Sequence, residues 1–247
     1  MKNRRLAPIT TTLKSLTSLA ALCLLPACIM PGQKPAMGNS NVTLDSCDEG
    51  LIDDGEDGNN QVLVRDGRNG YWYTYVDENG STVEPEAGSR GGTFEMAPGG
   101  ANGSKFSANV HGKTAGGSGV RNGGVGFNFV DPKAPYDASR YNGIAFWARK
   151  GSGSVGKVRL KVPDSATTPE GGSCRECFND FGADLNLTEQ WQRFVFPFKK
   201  LKQEPDWGNP RPRAINKAKL YGMQFQVGAP GATFDIYVDN VELVGCE

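Results

Sequence analysis

Cys174-Arg175-Glu176-Cys177 is the constellation in this chain most easily read as chemistry, because it has the spacing of half a zinc site or of a redox dithiol. No second CxxC exists and His111 is the only histidine, so the protein ligands for a tetrahedral zinc cannot be assembled. A redox dithiol opens a helix after a strand. This pair lies in the loop GGSCRECFNDFG (171–182), and a local disulfide is the plainer reading. Gly151-Ser152-Gly153-Ser154-Val155-Gly156 matches G-x-G-x-x-G, but a strand-like KVRLKVP follows where a phosphate loop needs a helix N-terminus. It reads as a hairpin turn. No Walker loop or G-x-S-x-G elbow is present, and a Ser-His-Asp triad would have to be built around His111, which reads as a surface polar residue. Carboxylates are plentiful, among them Glu56, Asp57, Glu95, Asp131, Asp164 and Asp235, yet nothing in their spacing pairs two of them for glycoside hydrolysis. The expectation is a protein that is not an enzyme.

The acidic opening IDDGEDGNN (52–60) has a different character. Its spacing is not that of an EF-hand, but oxygen ligands packed among glycines suit a hard cation such as Ca²⁺; the alternative is a solvated loop. Asp239 is a carboxylate inside an otherwise apolar run, FDIYVDNVEL (234–243), which is costly unless it is paired or metal-bound.

The N-terminus reads as an export signal. Lys2, Arg4 and Arg5 precede an apolar run from Leu16 to Leu25, too short to span a bilayer, and Leu25-Pro26-Ala27-Cys28 resembles a bacterial lipobox. Residues 1–27 are therefore read as a lipoprotein signal peptide, with Cys28 taking the lipid. Residues 28–46 are read as a flexible tether, and 47–247 as the folded domain. Ile29 is not the aspartate linked with inner-membrane retention, which mildly favours the outer membrane of the cell envelope. With Cys23 discarded and Cys28 acylated, Cys47, Cys174, Cys177 and Cys246 remain. In an oxidising compartment they are expected to form two disulfides, Cys47–Cys246 at the ends of the domain and Cys174–Cys177 within its loop.

The elements that must carry these residues are short and period-two. Alternating segments near 61–65, 71–76, 93–96, 105–112, 124–130, 143–149, 157–163, 193–198, 221–227 and 234–243 are separated by Gly, Pro, Asn or Asp. They predict an all-β sandwich of two antiparallel sheets. The alternation turns Phe106, Ala108 and Val110, then Ile144, Phe146 and Ala148, and then Val158, Leu160 and Val162 inward. Phe234, Ile236 and Val238 are inward too, with a change of phase at Asp239 where a bulge or bend fits. Trp147, Arg149, Arg159, Gln224, Gln226 and Tyr237 are left pointing outward. Aromatic rings beside planar amide and guanidinium donors suit a sugar, whose C–H face stacks while its hydroxyls take hydrogen bonds. A sandwich has two outward faces, so a single shared groove is only one of the possible arrangements.

Charge narrows the partners. Lys and Arg total 27, as do Asp and Glu; four of the bases precede Cys28, which leaves 23 against 27, a net charge of −4. That balance carries no electrostatic footprint for nucleic acid.

Leu51-Ile52-Asp53-Asp54-Gly55-Glu56-Asp57-Gly58, Gly143-Ile144-Ala145-Phe146-Trp147-Ala148 and Tyr237-Val238-Asp239-Asn240-Val241-Glu242-Leu243 resemble the galactose-binding-like jelly rolls. Among these the chain is most similar to the family-11 type of carbohydrate-binding module. Trp191-Gln192-Arg193-Phe194-Val195-Phe196-Pro197-Phe198 resembles the strand before their last pair, and the likeness covers most of residues 50–244. The resemblance implies a jelly-roll sandwich that binds a β-linked polysaccharide on a concave sheet, with Trp147, Gln224 and Gln226 as matching positions. It also implies a structural Ca²⁺ at Glu56 and Asp239, with Asp57 a weaker ligand. The loop 171–182 lies outside that pattern. Two other readings stand beside it: a structural or protein-binding envelope lipoprotein, and a sandwich-type hydrolase or lyase. An open groove with Trp147 exposed would speak for the sugar module, a covered Trp147 together with an exposed edge at YWYTYV (71–76) for the envelope lipoprotein, and two carboxyls facing across a cleft for the hydrolase or lyase.

Overall fold

A computed structural model describes residues 43–88 and 94–246. The signal peptide, Cys28 and the tether up to residue 42 lie outside the described residues. Among the described residues no helix is long and apolar enough to cross a membrane.

The strands are β1 (Ser46–Asp53), β2 (Trp72–Val76), β3 (Thr82–Glu84), β4 (Ala97–Pro98), β5 (Phe106–Lys113), β6 (Gly123–Asn128), β7 (Gly143–Lys150), β8 (Lys157–Val162), β9 (Phe181–Asn186), β10 (Gln192–Pro197), β11 (Gly222–Val227) and β12 (Thr233–Val244). They form two antiparallel sheets. The seven-stranded sheet runs β10-β7-β12-β5-β3, with β1 added to β12 and β4 to β5; the five-stranded sheet runs β2-β6-β11-β8-β9. This is the expected two-sheet sandwich.

The inner faces are the apolar halves of the alternating strands. Ile144, Phe146 and Ala148 of β7 are fully buried, as are Met223, Phe225 and Val227 of β11 and Leu160 and Val162 of β8. Phe146 of one sheet meets Phe225 of the other edge-on, with centroids 5.0 Å apart. In β12 the buried set is Phe234, Ile236 and Val238, and then Val241 and Leu243. The switch from even to odd positions falls at the bulge between Asp239 and Glu242, where Asn240 takes φ 48°. The predicted change of phase is therefore a real irregularity, and it places Asp239 at a kink.

Three expectations about the strands differ from the structure. Gln61–Arg65 is not a strand but a pair of isolated bridges, Gln61 to Tyr71 and Arg65 to Arg68. The tight turn at Asp66 and Gly67, both at positive φ, ends the ladder before it can propagate. Phe94 and Met96 are buried without pairing, and only Ala97–Pro98 joins β5. Conversely β1, β3 and β9 are strands the pattern did not mark. β1 (SCDEGLID) lies at a sheet margin and stays polar over its first half, so it lacks the alternation of a half-buried strand.

Cys47 and Cys246 are bonded, with Cα atoms 6.0 Å apart, and tie β1 to the end of β12. Cys174 and Cys177 are bonded within their loop, with Cα atoms 5.1 Å apart. Both pairings are as expected.

Candidate functional site

Register shows which outward side chains share a face, because directly opposed residues of antiparallel strands point the same way. Across the five-stranded sheet two rows run over the outer surface. The first is Tyr73, Gly126, Gln224, Lys161 and Gly182; the second is Tyr75, Gly124, Gln226, Arg159 and Asp184. The glycines of β6 make the rows possible. A Cβ on Gly124 would stand 2.1 Å from the Phe225 carbonyl oxygen and 3.0 Å from Tyr75 Oη, so the tyrosine reaches over a strand that offers no side chain.

Tyr73 and Tyr75 lie 6.2 Å apart at an interplanar angle of 51°. Gln224 Nε2 donates to Tyr73 Oη at 2.9 Å. Burial, with the negative charges of Asp180 and Glu170 adding to it against the Gln224 hydrogen bond, pushes the Tyr73 phenol up to about 12. Burial also holds Tyr75 well above the ordinary tyrosine value. Both remain neutral hydroxyls able to donate and accept. Lys161 Nζ stands 3.1 Å from Asp180 Oδ2 in a pair that is almost wholly buried. Arg159 meets Asp184 Oδ1 at 3.1 Å and donates from Nη2 to the Lys202 carbonyl at 2.8 Å. Beside it opens a pocket of about 440 Å³ lined by Lys157, Arg159, Asp184, Glu204 and Gln226.

Tyr75 Oη, Arg159 Nε and Asp180 Oδ1 are buried side-chain atoms on this face with no hydrogen-bond partner. Unpaired buried polar atoms are costly and are ordinarily met by ordered water or by a ligand.

The outward set read from sequence divides between the sheets. Arg159, Gln224 and Gln226 belong to the face just described, whereas Trp147, Arg149 and Tyr237 stand on the outer face of the seven-stranded sheet, across the core. One groove holding all of them is excluded. Period-two alternation tells inward from outward within a strand and is silent on which sheet the strand joins. On the seven-stranded face the groups satisfy one another. Arg149 lies 3.6 Å from the Tyr237 ring centroid and 5.2 Å from that of Trp191, and Arg193 Nη2 meets Glu242 Oε1 at 2.7 Å. Asn109 donates to Asp235 Oδ1 at 2.8 Å. Trp147, partly buried, sits opposite Arg193 and Asp239.

Tyr73, Tyr75, Lys161 and Asp180 were not singled out from the sequence. The legible signal was the coincidence of Y-x-Y in β2 with outward G-x-G in β6. It becomes informative only once these strands are known to be neighbours. Tyr73 and Tyr75 lie on the edge strand β2, whose Thr74 is bridged to Gly88, so that edge is partly covered.

Of the expected calcium ligands, Glu56 and Asp239 stay together and Asp57 turns away. Glu56 Oε1 accepts from the Lys105 and Phe106 amides at 2.6 and 3.1 Å, and Asp239 Oδ2 accepts from Ala101 at 2.7 Å, so both carboxylates close on the segment between β4 and β5. Burial pushes the Asp239 carboxyl up to about 6 against hydrogen bonds from Ala101, Asn240 and Ser104, and the nearby Glu56 charge adds to the rise. Asp57 is exposed and caps its own turn by accepting from Asn59 at 3.1 Å. Among the described residues no group of three or more His, Cys, Asp or Glu side chains is arranged to hold a metal. His111 is exposed and faces Glu84 at 3.1 Å.

No protein-family model and no curated protein matches this sequence. Solved structures do share its architecture. The family 11 carbohydrate-binding module of the cellulosomal cellulase Lic26A-Cel5E of Clostridium thermocellum superposes with a TM-score of 0.53 at 15% identity, covering 83% of this chain and 97% of that one. A family 11 module from Clostridium thermocellum in complex with a β-1,3-1,4-mixed-linked tetrasaccharide gives 0.51 at 16% identity, covering 71% and 89%. The chain thus has the β-sandwich fold of these modules.

Proposed function

We propose that this protein is a non-catalytic module that binds a β-linked polysaccharide on the outer face of its five-stranded sheet. The observation that carries the reading is the pair of tyrosines laid over the glycines of β6, beside Gln224, Gln226 and Arg159, on a face where Tyr75 Oη, Arg159 Nε and Asp180 Oδ1 have no hydrogen-bond partner. Aromatic rings offer the C–H face of a pyranose a stacking surface, while neutral phenols, amides and a guanidinium match its hydroxyls. The likeness to family 11 modules, one of them complexed with a mixed-linked tetrasaccharide, supports the same ligand class. Trp147, Arg149 and Tyr237 have no part in this groove.

The lipobox-like Leu25-Pro26-Ala27-Cys28 supports export and lipid anchoring at Cys28, with the outer membrane preferred and the module held off the surface by its tether. A structural Ca²⁺ at Glu56 and Asp239 belongs to the same reading, supported by two carboxylates that close on one segment between β4 and β5. It would tie β12 to the segment after β1.

The test is titration of the purified protein with mixed-linked glucan, cellulose and xylan preparations. Binding that Tyr75→Ala weakens about ten-fold or more and Trp147→Ala leaves intact is the expected outcome. Binding insensitive to Tyr75→Ala, or absent from a protein shown to be folded, overturns the reading.

A further inference from the structure

Two arms flank the five-stranded sheet at its β9 edge, the loop stapled by Cys174–Cys177 and the segment 202–211. Arg175 and Glu176 donate their amides to the Asn209 carbonyl at 2.7 and 3.2 Å, and the Asn209 amide returns a bond to the Glu176 carbonyl. Asn179, itself buried, spends its whole side-chain amide on the other arm. Its Nδ2 donates to the Glu204 and Trp207 carbonyls at 3.0 and 2.5 Å, and its Oδ1 accepts from the Glu204 amide at 2.8 Å. The arms lie so close that a Cβ on Gly208 would stand 2.7 Å from the Asn179 Cβ.

This clasp carries the two aromatic side chains that are most open to water among the described residues, Phe178 at 57% exposed and Trp207 at 41%. Every other aromatic ring among them is buried or partly buried. Phe178 takes φ 74°, and Asp206, next to Trp207, takes φ 66°. A bulky residue in the left-handed region persists only where the surroundings impose it, so both rings ride on a fixed frame.

The clasp runs into the groove. Lys202 bridges to Gly182 of β9, Arg159 donates to the Lys202 carbonyl at 2.8 Å, and Asp180, next to Asn179, meets Lys161 at 3.1 Å. Glu204, three residues before Trp207, lines the pocket with Arg159 and Gln226. The row that starts at Tyr75 on β2 crosses β6, β11, β8 and β9, and the bridge at Lys202 adds one more neighbour beyond β9. Five spacings of about 4.8 Å set the tyrosine edge and the clasp about 24 Å apart. Neither sign of charge dominates the clasp. Residues 171–182 and 202–211 hold three basic and four acidic residues, with Asp206 beside Trp207 and Glu176 in the loop both exposed. Such a surface does not select a polyanion, and its aromatic rings suit an uncharged sugar.

We infer that Trp207, with Phe178 on the other arm, is an outlying stacking subsite of the groove, so that the ligand of this face is a long uncharged polysaccharide chain bound across the whole sheet from Tyr75 to Trp207. This rests on the carbohydrate-binding reading of the five-stranded face. A short oligosaccharide held at Tyr75 ends before the clasp, whereas a longer chain continues past Arg159 and Glu204 and lays the C–H face of a further pyranose on Trp207. The clasp already fixes the backbone that carries the ring, so stacking there costs little additional ordering.

The experiment titrates the full chain with tetrasaccharides and octasaccharides of mixed-linked glucan, cellulose and xylan. Wild type, Trp207→Ala, Trp207→Phe and Tyr75→Ala are compared, with thermal unfolding to confirm folding and sedimentation to follow self-association. In the series that binds, Trp207→Ala should weaken the octasaccharide about ten-fold and leave the tetrasaccharide unchanged, as expected for the loss of one stacking ring. Trp207→Phe, which keeps a ring, should restore most of the octasaccharide affinity, and Tyr75→Ala should weaken both lengths. The extra registers that a longer chain offers are the same for every variant, so the comparison isolates Trp207. Octasaccharide affinity that Trp207→Ala leaves unchanged while Tyr75→Ala lowers it overturns this inference and leaves the groove standing. A dimer that Trp207→Ala dissolves, with glycan affinity unchanged, also overturns it, in favour of a second copy of this chain on the clasp. Tetrasaccharide binding that depends on Trp207 and not on Tyr75, or no binding in any series, overturns both readings.

Discussion

The two outer faces of this sandwich carry the same residue types to opposite effect. On the seven-stranded sheet Arg149 is sandwiched near Tyr237 and Trp191, Arg193 closes on Glu242, and Asn109 donates to Asp235. Its polar groups are consumed by their neighbours. On the five-stranded sheet tyrosines lie over glycines, and Tyr75 Oη, Arg159 Nε and Asp180 Oδ1 find no hydrogen-bond partner although they are buried, the Nε standing 4.0 Å from Glu204 Oε2. An outward aromatic beside an arginine is therefore a weak sign of a ligand site. Donors and acceptors left open beside an aromatic are a stronger one, because leaving them unpaired has a cost that a ligand or ordered water must offset.

The largest expected difference between the faces concerns their ion pairs. Lys161 and Asp180 are nearly inaccessible at 3.1 Å. Lys161→Met strands a buried carboxylate and should destabilise the domain by about 3–5 kcal/mol, and Lys161→Met/Asp180→Leu should recover most of that. Arg193 and Glu242 retain 24% and 16% exposure, so Arg193→Ala should cost only about 1 kcal/mol or less. Equilibrium urea unfolding of the three variants reads both values, and equal losses for the two single variants would erase the distinction.

Next in size is a group that belongs to neither face. Asp53 accepts from Trp72 Nε1 at 2.5 Å and from Gly55 at 2.9 Å, and burial pushes its carboxyl up to about 7 despite those bonds, with the charges of Asp57 and Asp54 adding to the rise. A folded value above the unfolded one means that the native state holds the proton more tightly. Stability should therefore be greatest on the acid side and fall as pH rises from about 4 to about 7, by a few kcal/mol in all. Asp66 and Asp77, held below their ordinary value after hydrogen bonds outweigh burial, act the other way only below about pH 4. Urea unfolding from about pH 5 to pH 7 should show the decline, with glycan affinity moving little. Asp239, pushed up to about 6, adds to the same decline, and a flat profile would mean that both carboxyls are ionised in the fold.

Binding separates the faces by a smaller energy. Tyr75→Ala should weaken glycan binding about ten-fold or more, near 1.4 kcal/mol, as expected for removing a stacking ring. Gly124→Ala should weaken it as well, because the added methyl would press on the Phe225 carbonyl and on Tyr75. The smallest effect belongs to the opposite face, where Trp147→Ala should change affinity by less than about two-fold. Calorimetric titration of the three variants against the same glucan orders them, and a reversal of Tyr75 and Trp147 would move the site across the core.

Much of this architecture was legible in the residues. Alternation in β7, β8, β11 and β12 marks which side chains are buried, since a strand with one wet face must place its apolar residues two apart. The slip at Asp239 showed as a break in that period, and the four cysteines left for the domain paired as their positions at its ends and in one loop implied. What stayed out of reach was sheet membership. Trp147 and Gln224 are equally outward in the sequence, yet β7 and β11 belong to opposite layers. Pairing between strands distant in the chain is settled by how two whole sheets close on a common core, which no local pattern encodes. Only the tertiary structure set Tyr75 over Gly124, buried Asp180 beside Lys161, and clasped Asn179 to the segment that carries Trp207.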